Sequence, residues 1–136
     1  MSKFKILIPL DGSEKSMHSL DWLKKIFSKE DTEVTLLYVT EVYYKGEMID
    51  VSSFKNFANV SKQVLDDAAS KLEGYNVATI SLHGHVADMI LKEAKVGKYD
   101  LVIMTKSSVK GVSRIIGSTT SKVVRNSEVA VIVVPE

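Results

Sequence analysis

FKILIPL, residues Phe4 to Leu10, is a nearly continuous apolar run with the length of a single β-strand. Three more runs of this kind follow it along the chain: VTLLYV (Val34 to Val39), LVIM (Leu101 to Met104) and VAVIVV (Val129 to Val134). Strands that are hydrophobic along their whole length are typical of a parallel sheet that helices cover on both faces. The four runs therefore indicate the interior of an α/β protein.

A weaker fifth strand and four helical segments lie between these runs. NVATISLHG, which begins at Asn76, alternates small or polar side chains with apolar ones. Apolar residues at helical spacing predict helices just after DGSE (residues 11–14), around residues 60–72, around residues 86–94, and from Gly117 to about Arg125 with Val123 and Val124 facing inward. Strand and helix alternate throughout, which predicts an α/β fold, a doubly wound five-stranded parallel sheet with helices on both faces.

Length and composition bound the kind of protein. A chain of 136 residues is the usual size of one domain, so we expect a single domain over residues 1–136. The 18 basic and 17 acidic residues give a net charge of +1, which argues against nucleic acid or an anionic membrane as a partner. The chain has no cysteine, which excludes disulfides, thiol catalysis and cysteine-ligated metal.

The same sequence predicts a cytoplasmic protein. The first apolar run is broken by Pro9 after about five residues, too few for the apolar region of a signal peptide. No stretch approaches the roughly 18 apolar residues that a membrane span needs. The absence of cysteine fits a reducing compartment.

Two loops mark where a ligand would bind. Open α/β sheets bind ligands beyond the carboxyl ends of their strands, where the strand order reverses, so we expect the loops after strands one and four to face each other. Gly117 and Ser118 open the last helix, whose free N–H groups and dipole favour an anion, and the hydroxyls of Ser118 and Thr119 add donors. The alternative to an anion site is that Gly117 and Ser118 only begin the helix and bind nothing. Asp11, in the first loop, either contacts a ligand or caps the first helix.

The order and spacing of these motifs resemble the universal stress protein family over essentially the whole chain. Pro9, Asp11, Gly12 and Ser13 match its Pro-x-Asp-Gly-Ser pattern, Gly84 matches the glycine before its third helix, and the stretch from Gly111 to Pro135 follows its closing pattern. The resemblance implies the strand order 3-2-1-4-5. In nucleotide-binding members it also implies ATP or AMP lying across the two loops.

Matching positions carry the family's ligand contacts over to this chain. The resemblance places Asp11 at the adenine or ribose side, the backbone around Val39 at the base, and the segment from Met104 to Ser108 near the ribose and phosphates. Gly117, Ser118 and Thr119 would cradle the phosphates, with magnesium present if the ligand is ATP. The predicted cofactor-binding residues are Pro9, Asp11, Val39, Met104, Thr105, Ser108, Gly117, Ser118 and Thr119.

The chain departs from the family in the loop after the fourth strand. Thr105 and Ser108 stand where the family has its first two loop glycines, and eight residues instead of nine separate Ser108 from Gly117. A Cβ at either position restricts positive φ and the close approach of backbone to phosphate. We therefore predict weakened ATP or AMP binding. The alternative is a dimeric protein–protein interaction module that binds no nucleotide.

The remaining predictions concern catalysis, metal and assembly. No Gly-x-Ser-x-Gly elbow, complete Walker A loop or plausible carboxylate pair occurs, so no catalytic residue is predicted and slow hydrolysis of bound ATP is the most that the resemblance allows. The three histidines lack metal-ligand spacing. VAVIVV, a flat uncharged edge strand, predicts a homodimer through Val129 to Val134, the family's usual assembly. Residues 40–57 show no clear periodicity, which indicates a lid or a mobile insertion.

Overall fold

The computed structural model describes residues 3–41, 51–106 and 116–135, with side chains from residue 56 onward in the helix that begins at Val51. A short 3₁₀ turn, Lys15–Met17, precedes the first helix. In chain order the elements are β1 Phe4–Leu10, α1 His18–Ile26, β2 Thr32–Glu41, α2 Val51–Ser70, β3 Asn76–Gly84, α3 Val86–Val96, β4 Leu101–Thr105, α4 Ser118–Asn126 and β5 Ala130–Val134.

The five strands form one parallel sheet in the order β3-β2-β1-β4-β5. This confirms the predicted fold class and strand order. The chain adds β2 and β3 on one side of β1 and then crosses to add β4 and β5 on the other side. The strand order therefore reverses between β1 and β4, the position at which α/β sheets leave a crevice for ligands.

The central strands β1, β2 and β4 are buried on both faces, since alternate side chains point to opposite sides of the sheet and helices cover both. Ile6 and Ile8 of β1 pack on the side of α1 and α2, together with Leu20, Leu65 and other apolar residues of those helices. Leu7, between them, packs on the side of α3 and α4. This two-layered core explains why the strand sequences are apolar along their length.

Two details of the helices differ from expectation. α2 begins at Val51, and β2 extends to Glu41, so both ends of the segment 40–57 are regular structure and the prediction of one long irregular connection was wrong there. Residues 42–50 lie outside the described residues. In α4, Val123 is 1% exposed whereas Val124 is 46% exposed. Neighbouring residues of a helix point about 100° apart, so only one of the two valines faces the core.

The amino ends of β1 and β4 are tied together by one lysine and one aspartate. The Lys5 ammonium donates to the Gly97 carbonyl over 2.6 Å and lies 4.7 Å from the centroid of the Tyr99 ring. The backbone N–H of Lys5 donates to the Asp100 carboxylate over 2.9 Å. These contacts lie at the amino ends of the strands, opposite to the crevice between the carboxyl ends of β1 and β4. Within the described ranges, no helix has both the length and the apolarity needed to cross a membrane.

Candidate functional site

A cavity of about 260 Å³ opens at the carboxyl ends of β1, β2 and β4, beside the first turn of α4. Its position is the one expected from the reversal of strand order between β1 and β4. Its volume is close to the lower end of the range typical of small-molecule sites. The cavity is lined by Pro9, Leu10, Asp11, Ser16, Glu41, Val86, Ile90, Met104, Thr105, Gly117, Ser118, Thr119 and Thr120.

Most of the residues that the sequence singled out meet around this cavity. Seven of the nine line it: Pro9, Asp11, Met104, Thr105, Gly117, Ser118 and Thr119. The side chain of Val39 lies elsewhere, in the core on the α3 side of the sheet. Ser108 lies outside the described residues. The fold thus brings together two loops that are about 100 residues apart in sequence.

The backbone of β2 offers a second way in which the segment around Val39 could contact a ligand. The pairing of β1 with β2 ends at Leu10 and Tyr38, whereas the pairing of β3 with β2 continues to Gly84 and Glu41. The last three residues of β2 therefore extend beyond β1. Among the described strands, none pairs with the edge of Val39 to Glu41 that faces β1, which leaves peptide groups of that edge directed toward the crevice.

The loop after β1 is organised by the side chain of Asp11. Its carboxylate accepts hydrogen bonds from the N–H and the hydroxyl of Ser13, over 2.8 and 2.5 Å. The Ser13 hydroxyl oxygen in turn accepts a hydrogen bond from the N–H of Ser16, which lies in the 3₁₀ turn before α1. Gly12 has φ +87°, which a glycine adopts without strain. The N-cap residue of α1, Met17, has no side-chain cap, and the Ser13 hydroxyl serves as a side-chain acceptor for the 3₁₀ turn.

The first turn of α4 is held against the end of β4 by two hydrogen bonds. Gly117 donates its N–H to the carbonyl of Lys106 over 2.9 Å, and the Thr120 hydroxyl donates to the carbonyl of Thr105 over 2.9 Å. In the described part of the chain, no side chain caps this helix. The N–H groups of the first helical residues have no intrahelical acceptor, so they point out of the helix end beside the Ser118 and Thr119 hydroxyls. This arrangement suits an anion.

Thr105, at the first of the two substituted glycine positions, is accommodated by the strand. β4 continues through Thr105, which pairs with Val134 of β5. Lys98 is the only non-glycine residue with positive φ in the described part of the chain, so Thr105 carries no backbone strain of the kind that glycine would relieve. Its side chain lines the cavity instead of closing it.

Glu41 is the main polar residue of the site that the sequence analysis missed. It is exposed, ends β2 and is, with Asp11, one of two acidic residues that line the cavity. The sequence feature that could have identified Glu41 is its position two residues after Val39, because β2 ends at Glu41 and not at Val39 as predicted. Among the described residues, no cluster of three or more side chains could hold a metal ion.

An ion pair beside the cavity joins α3 to α4. The Lys122 ammonium lies 2.8 Å from the Asp88 carboxylate, and His85 Nδ1 lies 3.3 Å from its other oxygen. The hydrogen bond from Lys122 lowers the pKa of Asp88 below its usual value. α3 supplies Val86 and Ile90 to the cavity wall and α4 supplies its first turn, so this pair connects the two helices that bound the cavity.

Comparison with known proteins agrees with this architecture. The family model described as the universal stress protein family matches residues 4–135. The chain is 29% identical over 137 residues to the universal stress protein MJ0531 of Methanocaldococcus jannaschii, covering 96% of this chain and 81% of that protein.

Solved structures give the same result. The structure of hypothetical protein MJ0577 has a TM-score of 0.81 at 28% identity and covers 100% of this chain and 98% of its own. A universal stress protein family protein from Arabidopsis thaliana, solved with AMP bound, has a TM-score of 0.72 at 17% identity and covers 96% of this chain and 90% of its own. With the whole sheet, its strand order and nearly every residue matched, the chain belongs to the universal stress protein family.

Proposed function

We propose that this protein is a regulatory module of the stress response that binds a nucleoside 5′-phosphate of the ATP or AMP type between the loops after β1 and β4. The observation that carries the proposal is the cavity of about 260 Å³ at the reversal of strand order, lined by seven of the nine predicted contact residues. The AMP bound to the Arabidopsis thaliana relative supports the choice of ligand class.

The chemistry of the lining supports one orientation of the ligand. The phosphate binds at the first turn of α4, where backbone N–H groups and the hydroxyls of Ser118 and Thr119 are donors. The sugar and base lie over apolar side chains toward β1 and β2. Asp11 is held in place by Ser13 and accepts from ligand hydroxyls. With ATP, magnesium would accompany the phosphates at the first turn of α4 as their counter-ion.

Calorimetric titration with AMP and ATP, with and without magnesium, tests this proposal. The variant Gly117→Val is the blocked form, because it adds a branched side chain to the cavity wall at a residue whose backbone, φ −61° and ψ 158°, suits any amino acid. Ala78→Val is the matched control, since Ala78 is exposed on β3 and takes no part in the cavity.

Sub-millimolar binding that Gly117→Val abolishes and Ala78→Val preserves is the expected result. If neither AMP nor ATP gives binding heat with the unmodified protein, the proposal is excluded. Equal binding by the unmodified protein and Gly117→Val would place the nucleotide somewhere else on the surface.

A second proposal concerns assembly, and it rests on β5. This strand lies at an edge of the sheet, and its central residues Val131, Ile132 and Val133 are only partly buried. Open apolar edge strands promote pairing with another chain. We therefore propose a two-fold homodimer through Val129 to Val134, and such a dimer would serve as a protein–protein interaction module even if the cavity binds no nucleotide.

The pairing of β4 with β5 supplies a sharp test of the dimer. Val134 accepts a hydrogen bond from Lys106 of the β4 side, so the peptide groups of Val133 point to the open edge. Val133→Pro removes an outward N–H and leaves the ladder to β4 intact. Light scattering should show a dimer for the unmodified protein and a folded monomer for Val133→Pro. A monomer in both cases, at micromolar concentration, would remove the proposal.

A further inference from the structure

Thr120 lines the cavity from the first turn of α4, and its side chain is buried. Its hydroxyl donates to the carbonyl of Thr105 over 2.9 Å. A threonine hydroxyl has a single proton to donate, so this side chain offers no further donor to a ligand. The contribution of Thr120 to the site therefore depends on what its bond to Thr105 holds in place.

The acceptor of this bond is itself fixed on its other side. The Thr105 carbonyl and the Lys106 N–H belong to one peptide group, and that N–H donates to the carbonyl of Val134 over 3.2 Å. The peptide group is therefore bonded to α4 on one side and to the last residue of β5 on the other. Hydrogen bonds that share a peptide group polarise it and strengthen each other. Thr120 is consequently attached to a group that the sheet holds in place.

The same turn of α4 carries the backbone donors of the site. The first hydrogen bond inside this helix runs from the Ser121 N–H to the Gly117 carbonyl over 2.8 Å. The N–H groups of Ser118, Thr119 and Thr120 therefore have no acceptor within the helix. Such groups bind a phosphate together when they point to one place, and the orientation of the turn decides whether they do.

Two hydrogen bonds hold this turn against the sheet in the described part of the chain. Gly117 makes one of them through its backbone N–H, to the carbonyl of Lys106, and Thr120 makes the other through its side chain. Val123 also packs α4 into the core, but apolar contacts have no direction and do not fix a tilt. We propose that Thr120 is a positioning residue, which holds the free N–H groups of α4 in the direction that binds phosphate. The inference rests on the nucleotide-binding function proposed above.

Titration of AMP against four proteins tests this role: the unmodified chain, Thr120→Val, Thr120→Ser and Gly97→Ala. Thr120→Val keeps the shape of the side chain without its donor, whereas Thr120→Ser keeps the donor. Gly97→Ala is the control for lost stability, because its Cβ would overlap the Tyr99 ring and destabilise the fold at residues that take no part in the cavity. Each protein is titrated well below its own unfolding temperature.

We expect AMP to bind Thr120→Val about tenfold more weakly than the unmodified chain, as for the loss of one hydrogen bond to a charged group. Thr120→Ser and Gly97→Ala should bind AMP like the unmodified chain. Adenosine, which lacks the phosphate, should bind Thr120→Val and the unmodified chain equally.

Four results overturn the positioning role while the nucleotide-binding proposal stands. They are unchanged AMP affinity in Thr120→Val, no recovery in Thr120→Ser, a loss of the same size in Gly97→Ala, and an equal loss of adenosine affinity in Thr120→Val. No binding of AMP to the unmodified chain overturns both proposals.

Discussion

The hydrogen bond from Thr120 to the carbonyl of Thr105 is the contact through which the candidate anion end of the site depends on the sheet. Thr120 is 5% exposed, and the bond is 2.9 Å long in a buried setting. The change Thr120→Val keeps the shape and branching of the side chain but removes the donor. The Thr105 carbonyl then loses its side-chain partner while α4 still packs through Val123.

The expected cost follows from that geometry. A buried hydrogen bond whose acceptor is left unsatisfied costs about 1–3 kcal/mol, and the near-identical volume of valine adds no cavity to this figure. With about 2 kcal/mol lost, and a shift of roughly 3–4 °C per kcal/mol for a chain of this size, Tm should fall by about 7 °C. Thr79→Val, the same change at an exposed position of β3, should leave Tm nearly unchanged.

Thermal unfolding followed by circular dichroism measures both variants. Hydrogen exchange adds a local readout, because the amides of α4 should lose protection in Thr120→Val before those of β1. A Tm for Thr120→Val within 1–2 °C of the unmodified protein, as estimated for a surface change, would refute the view that this bond anchors α4 to β4.

Three further changes probe the remaining contacts. Gly97→Ala should destabilise the fold by about 1–3 kcal/mol in urea unfolding, because the new Cβ would overlap the Tyr99 ring and overpack this site; full stability would show that the ring moves away at no cost. Asp88→Asn should lower stability at neutral pH, and the deficit should vanish in acid. The pKa of Asp88 is lower in the folded protein than its unfolded value of about 3.9, so the ionised carboxylate stabilises the fold above that pH, and this stabilisation is lost as the pH falls through the folded pKa. A deficit that persists at pH 2 would contradict the role of the Lys122 pair. Burial raises the pKa of Tyr99, so the unfolded chain loses its phenol proton first and stability should drop as pH rises above about 10. Tyr99→Phe should remove part of this loss of stability in unfolding curves recorded from pH 9 to 11. The same dependence of stability on pH in the variant and the unmodified protein would argue against this contribution of Tyr99.

The sheet was predictable because its information is local and repeated. The bounds of β1 and β3 in the structure are those read from FKILIPL and NVATISLHG. The strand order needed the family resemblance, since apolar runs identify strands without stating their neighbours. The early end predicted for β2 and the inward orientation predicted for Val124 were wrong, because a strand's last polar residues and a helix's exact rotation depend on packing partners.

The site was predictable only where a motif spans one loop. Asp11 and the Gly117 to Thr119 segment carry their chemistry in consecutive residues, so their sequence sufficed to single them out. Glu41, Ser16 and Ile90 reach the same cavity from three different elements, and no local pattern marks them. Such residues can be recognised only in the folded structure, where the crossover connection from β3 to β4 has placed α3 and the end of β2 around the crevice.

The effect of losing a loop glycine depends on which property of glycine the position uses. Gly12 uses positive φ, so a side chain there would strain the loop that holds Asp11. Thr105 shows the other case, because β4 continues through it in extended conformation and its side chain becomes part of the cavity wall. Threonine in place of glycine at position 105 therefore changes the shape and polarity of the cavity wall without removing the cavity. The departure from the family pattern at this position is consequently a change in the wall of the cavity and not an argument for its loss.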